Sequence, residues 1–146
     1  MYKNILLATD LSPYTKKVTK KAVMLAKKFN AKLSIIHVFE YVSGACAGCD
    51  GIVSAIPVDA ELINITEEQV REKLYGLAKE LGIPKKRCHL EFGSIKHAVA
   101  EKAQQVKADL LVIGSHGRHG PALLLGSSAS AIMHNVKCDL LAVRVS

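Results

Sequence analysis

The sequence predicts a doubly wound α/β domain: an open five-stranded parallel sheet of strand order 3-2-1-4-5 with helices on both faces. Three observations lead there. Short apolar runs alternate with amphipathic stretches from end to end, the pattern of βαβ units. Two of the runs, the short apolar Ile5-Leu6-Leu7-Ala8-Thr9 and the continuously apolar Leu110-Leu111-Val112-Ile113, read as strands covered on both faces. Charged or glycine-rich residues sit at the carboxyl ends of these same first and fourth strands, at Thr9-Asp10 and from Gly114 onward. Right-handed crossovers then place the switch in strand order between them, where such sheets hold ligands.

The elements follow in order. After the first strand, Ser12-Pro13 reads as a helix start, a hydroxyl N-cap with proline at the first helical position. Val18, Ala22, Leu25 and Phe29 form one apolar stripe, and Asn30 is the expected C-cap. Lys16, Lys17, Lys20, Lys21, Lys27 and Lys28 take the other faces of this helix. Leu33 to Val38 is the second strand, with His37 expected as a packed, hydrogen-bonded side chain.

Tyr41 to Pro57 reads as a long irregular loop. Thr66 and Gln69 form a capping box for the second helix, with an earlier helical segment from about Pro57 left open. Val70, Leu74, Leu77 and Leu81 are its core stripe; Gly82 and Pro84 end it. Cys88, Leu90 and Phe92 alternate with His89 and Glu91, an edge strand. Gly93-Ser94 turns into a third helix with Ile95, Val99, Ala103 and Val106 inward. A fourth helix starts near Ser127 or Ser128, with Ile132, Met133 and Val136 apolar, and Leu140 to Val145 is the last strand.

Residues 1–146 therefore make one domain. With 49% apolar and 23% charged residues the composition is globular, not disordered. No apolar run approaches the ~18 residues of a membrane span, and the N-terminus lacks the pattern of a secretory signal. The expected location is the cytoplasm, with no membrane partner. The net charge of +7 suits nucleic acid or another anionic partner in principle, but it traces largely to the six lysines of the first helix and reads as a solvated surface, so a nucleic-acid partner is not expected. Aromatics at 5%, with no Trp, argue against a stacking platform for nucleic acid.

The strongest local motif is Gly114-Ser115-His116-Gly117-Arg118-His119-Gly120-Pro121, followed by Gly126-Ser127-Ser128. Glycines allow close backbone approach, and loop amides with a helix N-terminus behind them suit a phosphate. Ser127 and Ser128 add hydroxyl donors, and otherwise they simply cap the helix. It is not a Walker A loop, because no Gly-Lys-Ser/Thr closes it, and Gly-x-Gly-x-x-Gly is absent. Arg118 has two readings, a phosphate contact or an exposed side chain. His116 and His119 flank the glycine loop and have two readings, groups that titrate near neutral pH beside it or simply exposed loop histidines. Asp10 either accepts from ribose hydroxyls or a hydrated metal ion, or forms an Asx-type turn. No Gly-x-Ser-x-Gly elbow and no carboxylate pair is evident. The sequence thus assigns no catalytic residue.

Several stretches together carry a family resemblance: Lys3 to Ser12, Leu33 to Val38, Gly114-Ser115-His116-Gly117 with Gly126-Ser127, and Cys138 to Val145. Over nearly its full length the chain resembles a universal stress protein, with the adenine-nucleotide α-hydrolase-like fold. The resemblance implies a cytoplasmic stress-response or regulatory factor that dimerises through the last strand, Leu140 to Val145, and acts on an unknown protein partner. Members with the full glycine motif bind ATP; others lack it and do not. By resemblance, Ala8, Thr9 and Asp10 lie by the adenine and ribose, Val38 lines the adenine pocket, and Ile113 and Gly114 touch the sugar. Gly117, Gly126, Ser127 and Ser128, with Arg118, hold the phosphates of ATP or AMP, with Mg. The nucleotide-binding pattern is Gly-x2-Gly-x9-Gly-Ser/Thr. Here eight residues separate Gly117 from Gly126, one fewer, and the chain ends resemble the non-binding branch. A dimeric interaction protein without nucleotide is therefore the alternative.

The resemblance does not account for Cys46-Ala47-Gly48-Cys49. C-x-x-C in a loop suits a reversible thiol pair or half of a metal site, and otherwise Cys46 and Cys49 are loop cysteines that share this spacing by chance. Cys88 and Cys138 are expected to pack as small core residues. The last strand is apolar enough that an open edge invites pairing with a second copy.

Overall fold

The computed structural model describes residues 1–39, 60–115 and 127–145. Its elements are β1 (Asn4–Ala8), α1 (Thr15–Phe29), β2 (Lys32–Phe39), α2 (Ala60–Glu80), a 3-10 turn (Lys85–Arg87), β3 (Cys88–Phe92), α3 (Ile95–Gln105), β4 (Leu110–Gly114), α4 (Ser127–Asn135) and β5 (Asp139–Val143). The strands form one five-stranded sheet in the order β3-β2-β1-β4-β5, and every pairing is parallel. The predicted architecture and strand order are therefore the observed ones.

Period-two alternation sorts the strand residues between two cores. Ile5, Leu7, Leu33, Ile35, Leu110 and Val112 face one side, against Val18, Ala22 and Ala26 of α1 and Leu74 and Ala78 of α2. Leu6, Ile36, Val38, Leu111 and Ile113 face the other, against Val99 and Ala103 of α3 and Ala129 and Ile132 of α4. β1 and β4 read as unbroken apolar runs because helices cover both of their faces. β3 and β5 lie at the two edges of the sheet.

Helix ends follow local chemistry at several points. Asn30 caps α1 in the left-handed region at φ 51°, and its N–H reaches the carbonyls of Ala26 and Lys27. Gly82, at φ 72°, ends α2 as expected, with Ile83 N–H donating to Ala78 O at 2.8 Å. At the opposite end of the sheet, Asp109 ties down the start of β1. Its carboxylate accepts from the backbone N–H groups of Lys3 (2.7 Å) and Asn4 (3.1 Å). The Tyr2 hydroxyl donates to Asp139 at 2.9 Å, which with that carboxylate's charge holds the phenol pKa above its ordinary value.

Three expectations are corrected. Helix α1 begins at Thr15, not at Ser12-Pro13, and no side chain caps it. The preceding residues form a turn in which Thr15 N–H donates to Ser12 O at 3.0 Å. Helix α2 already begins at Ala60, so Thr66 lies inside it and is not an N-cap; the apolar pattern and good helix formers on both sides carry the helix through the capping signal. Met133 is 46% exposed, because Ala129 and Ile132 supply the inward face of α4. The loop expected at Tyr41 to Pro57 lies outside the described residues.

Candidate functional site

The switch in strand order falls between β1 and β4, as predicted, and a polar cluster occupies the carboxyl end of β1. Thr9 anchors it. Its N–H donates to Ile36 O at 3.0 Å, and its carbonyl accepts from His37 Nδ1 at 2.8 Å. Because a carbonyl only accepts, that contact requires the proton on Nδ1. His37 is 9% exposed and so is the packed, hydrogen-bonded histidine the sequence suggested.

The side chains beyond Thr9 form a directed chain. Leu11 N–H donates to Thr9 Oγ1 at 3.0 Å; Thr9 Oγ1 lies 3.2 Å from Thr15 Oγ1; and Thr15 Oγ1 donates to Asp10 Oδ1 at 3.4 Å. An ionised carboxylate only accepts, so the protons run from Thr9 to Thr15 to Asp10. Asp10 Oδ1 also accepts from Ser12 N–H at 2.9 Å, an Asx turn. These bonds hold Leu11 in the left-handed region, at φ 59°, where a non-glycine residue is uncommon. Asp10 thus does the turn's work with one oxygen, and its Oδ2 has no partner among the described residues.

Ser12 is a residue that sequence reasoning misread. It is 8% exposed, and its hydroxyl is buried with no hydrogen-bond partner among the described residues. A buried hydroxyl without a partner is costly, and it marks a polar position suited to a ligand oxygen or nitrogen. It stands three residues before Thr15, where α1 begins without a side-chain cap and with no acidic side chain in its first turn. Thr15 is also buried and was not singled out. The usable signal was the Thr-Asp-x-Ser-x-x-Thr spacing of hydroxyls around one carboxylate.

The other anticipated residues fall as follows. Ala8 ends β1 and is half-buried. Val38 (8% exposed) and Ile113 (3%) face the second core near the carboxyl ends of β2 and β4. Gly114 ends β4 opposite Val143, and Ser115 N–H donates to Val143 O at 2.9 Å. Because β2, β1 and β4 are neighbours, their carboxyl ends bring Val38, Ala8-Thr9-Asp10 and Ile113-Gly114 to one end of the sheet. Ser127 and Ser128 open α4 as expected. Gly117, Arg118, Gly126, His116, His119, Cys46 and Cys49 lie outside the described residues.

The two remaining cysteines behave as packing residues. Cys88 belongs to the first core, and burial pushes its thiol pKa up. Cys138 packs against the second core, and its thiol is raised mainly by burial, with Asp139 and Asp109 adding to it. Raised thiol pKa values describe unreactive cysteines. Among the described residues no group of three or more His, Cys, Asp or Glu side chains is placed to hold a metal ion. No described helix is long and apolar enough to cross a membrane.

Comparison with known proteins agrees with this geometry. The universal stress protein family pattern matches residues 1–144. The chain is 40% identical over 142 residues to universal stress protein A homolog 1 of Coxiella burnetii, covering 97% of this chain and 96% of that one. It is 35% identical to homolog 2 of the same organism, over 99% and 96%. Among solved structures, universal stress protein UspA from Lactobacillus plantarum superposes with a TM-score of 0.73 at 22% identity, over 98% of both chains. A universal stress protein solved in complex with cAMP matches at 27% identity and a TM-score of 0.58, over 99% of this chain and 98% of that one. The chain belongs to the universal stress protein family.

Proposed function

We propose that this universal stress protein is a cytoplasmic regulatory factor that binds an adenine nucleotide, ATP or AMP with Mg, at the carboxyl ends of β1, β2 and β4. The observation that carries the reading is the polar cluster after β1. Asp10 keeps one carboxylate oxygen uncommitted and Ser12 buries a hydroxyl without a partner among the described residues, beside an uncapped helix N-terminus. A ribose hydroxyl can donate to the first, and a ligand oxygen can accept from the second. Ala8, Thr9 and Val38 would flank the base, and Ile113 and Gly114 the sugar. Gly117, Arg118, Gly126, Ser127 and Ser128 would hold the phosphates. Magnesium, when bound with the nucleotide, would neutralise phosphate charge. The cAMP complex of a relative supports the same ligand class.

Heat-denaturing the pure protein and quantifying released adenine nucleotide, followed by titration with Mg-ATP, AMP and cAMP, tests this. Retained nucleotide or saturable binding is expected, and Gly117→Leu or Gly126→Leu should abolish it. Absence of both would end the nucleotide reading and leave a dimeric interaction protein, the alternative that the short Gly117–Gly126 spacing favours.

A homodimer through Leu140 to Val145 is part of the proposal. β5 is the terminal strand of the sheet and runs from Asp139 to Val143, one residue earlier at its start and two shorter at its end than the expected Leu140 to Val145. Leu140 and Leu141 are half-buried, Val143 is buried, and buried Val145 follows just beyond the strand. Pairing with a second copy would cover its outer edge. Sedimentation should give a dimer that Ala142→Lys, at an exposed position of β5, weakens.

A further inference from the structure

Helix α1 contains six lysines and no acidic residue. All six are exposed. Removing them from the 20 basic residues of the chain leaves 14 against 13 acidic, so this one helix carries nearly the whole charge excess. The ion pairs Arg71–Glu67 and Lys102–Glu91 both lie away from α1.

The six are ordered about a single exposed apolar side chain. Met24 is 49% exposed, although α1 buries Val18, Ala22 and Ala26 on its other side. At about 100° per residue, Lys16, Lys20 and Lys27 fall along one flank of Met24, and Lys17, Lys21 and Lys28 along the other. Each row extends about 17 Å along the helix axis, at about 1.5 Å per residue. The result is two parallel rows of three positive charges with an apolar side chain between them. No arginine is present, so the face offers point charges in place of bidentate forks.

We propose that this face of α1 binds the phosphate backbone of duplex nucleic acid without sequence preference. The two cationic rows lie about 100° apart around the helix axis, and their long side chains can splay to reach both phosphate strands that border a groove about 12 Å wide. Lysine supplies the non-directional charge that sequence-independent phosphate binding uses. The scarcity of aromatics, which argues against a base-stacking platform, is no obstacle to backbone contact.

The strip is too narrow for a lipid surface. Helix α2 covers the same face of the sheet and exposes Glu68, Glu72 and Glu80 among Arg71, Lys73 and Lys79, three exposed charges of each sign among its described residues. A flat anionic bilayer would gain no net attraction from α2, whereas a duplex can follow α1 alone.

The test is fluorescence anisotropy with a labelled 20-base-pair duplex of random sequence, titrated at several salt concentrations. If all six lysines engage, log K falls against log salt with a slope of about −5, or about a thousandfold between 50 and 200 mM. Lys17→Gln/Lys21→Gln/Lys28→Gln removes one row and should bring the slope to about −3. Lys73→Gln/Lys79→Gln/Lys96→Gln removes equal charge elsewhere and should leave the slope unchanged. Circular dichroism of both variants verifies folding. Absence of binding at 50 mM salt, equal losses in both variants, or tighter binding to anionic phospholipid vesicles or inorganic polyphosphate than to duplex would overturn the proposal. Nucleotide occupancy is measured separately, so failure here leaves the nucleotide reading standing.

Discussion

His37 Nδ1 meets the backbone carbonyl of Thr9 at 2.8 Å, joining the buried middle of β2 to the turn that follows β1. The bond spans 28 residues of sequence and fixes where the polar cluster begins. His37→Phe keeps the volume but leaves a partly buried carbonyl without its donor. The expected cost is about 1–3 kcal/mol, seen as a lower urea midpoint with an unchanged slope. Nucleotide affinity should fall as well, because Thr9 and Asp10 lose their fixed position.

Asp109 anchors the other end of β1 by accepting two backbone N–H groups. Asp109→Ala leaves both donors without their charged acceptor. Water can reach this edge, so the expected loss is about 1–2 kcal/mol. Asp109→Asn keeps one acceptor oxygen and should lose less. Thermal unfolding of the two variants checks the order, since each kcal/mol is worth about 2–4 °C at this chain length.

Much of this was legible in the residues because the periods are unambiguous. The runs at Ile5 and Leu110 are apolar at every position, which only strands covered on both faces tolerate, and they proved central. Asn30 and Gly82 ended their helices as caps because each adopts positive φ. The failures were at helix starts. Ser12-Pro13 looks like a cap, yet Asp10 and Thr15 organise the turn through a side-chain bond five residues apart, a spacing outside the helix-capping patterns. Thr66 had the spacing of a capping box inside a longer helix. The site was half visible: Asp10 stood out as a charge ending an apolar run. Ser12 gained its meaning only from burial, which a sequence does not print.

His89 makes stability depend on pH. It lies on edge strand β3, and burial lowers its pKa, helped by Lys102 and opposed by Glu91. Its Nε2 is buried without a partner among the described residues. With the folded value below the ordinary 6.5, the unfolded chain takes up a proton first as pH falls. This contribution is therefore fully present above about pH 6.5 and is lost as pH drops from there through the folded value. Urea midpoints should decline between pH 7.5 and 5.5, and His89→Gln should flatten that decline. An unchanged decline in the variant would assign it to other groups.

The lysine face sets stability against binding. Lys16 and Lys17 occupy the first turn of α1, where the helix dipole disfavours positive charge, and no side chain caps that end. Lys16 and Lys20, like Lys17 and Lys21, are same-charge neighbours four residues apart, a spacing that destabilises by about 0.2–0.5 kcal/mol per pair. Lys16→Glu reverses both effects. It places a carboxylate near the positive helix end, and that carboxylate pairs with Lys20 one turn further on, with the acid on the N-terminal side as the favourable order requires. The expected gain is about 0.5–1 kcal/mol at low salt, shrinking as salt is added. The same substitution inserts a negative charge into one cationic row, so duplex affinity should fall while the melting temperature rises. A variant that gains stability and keeps full affinity would show that Lys16 stands outside the contact. Opposite movement of the two is what a surface shaped for an anionic partner predicts.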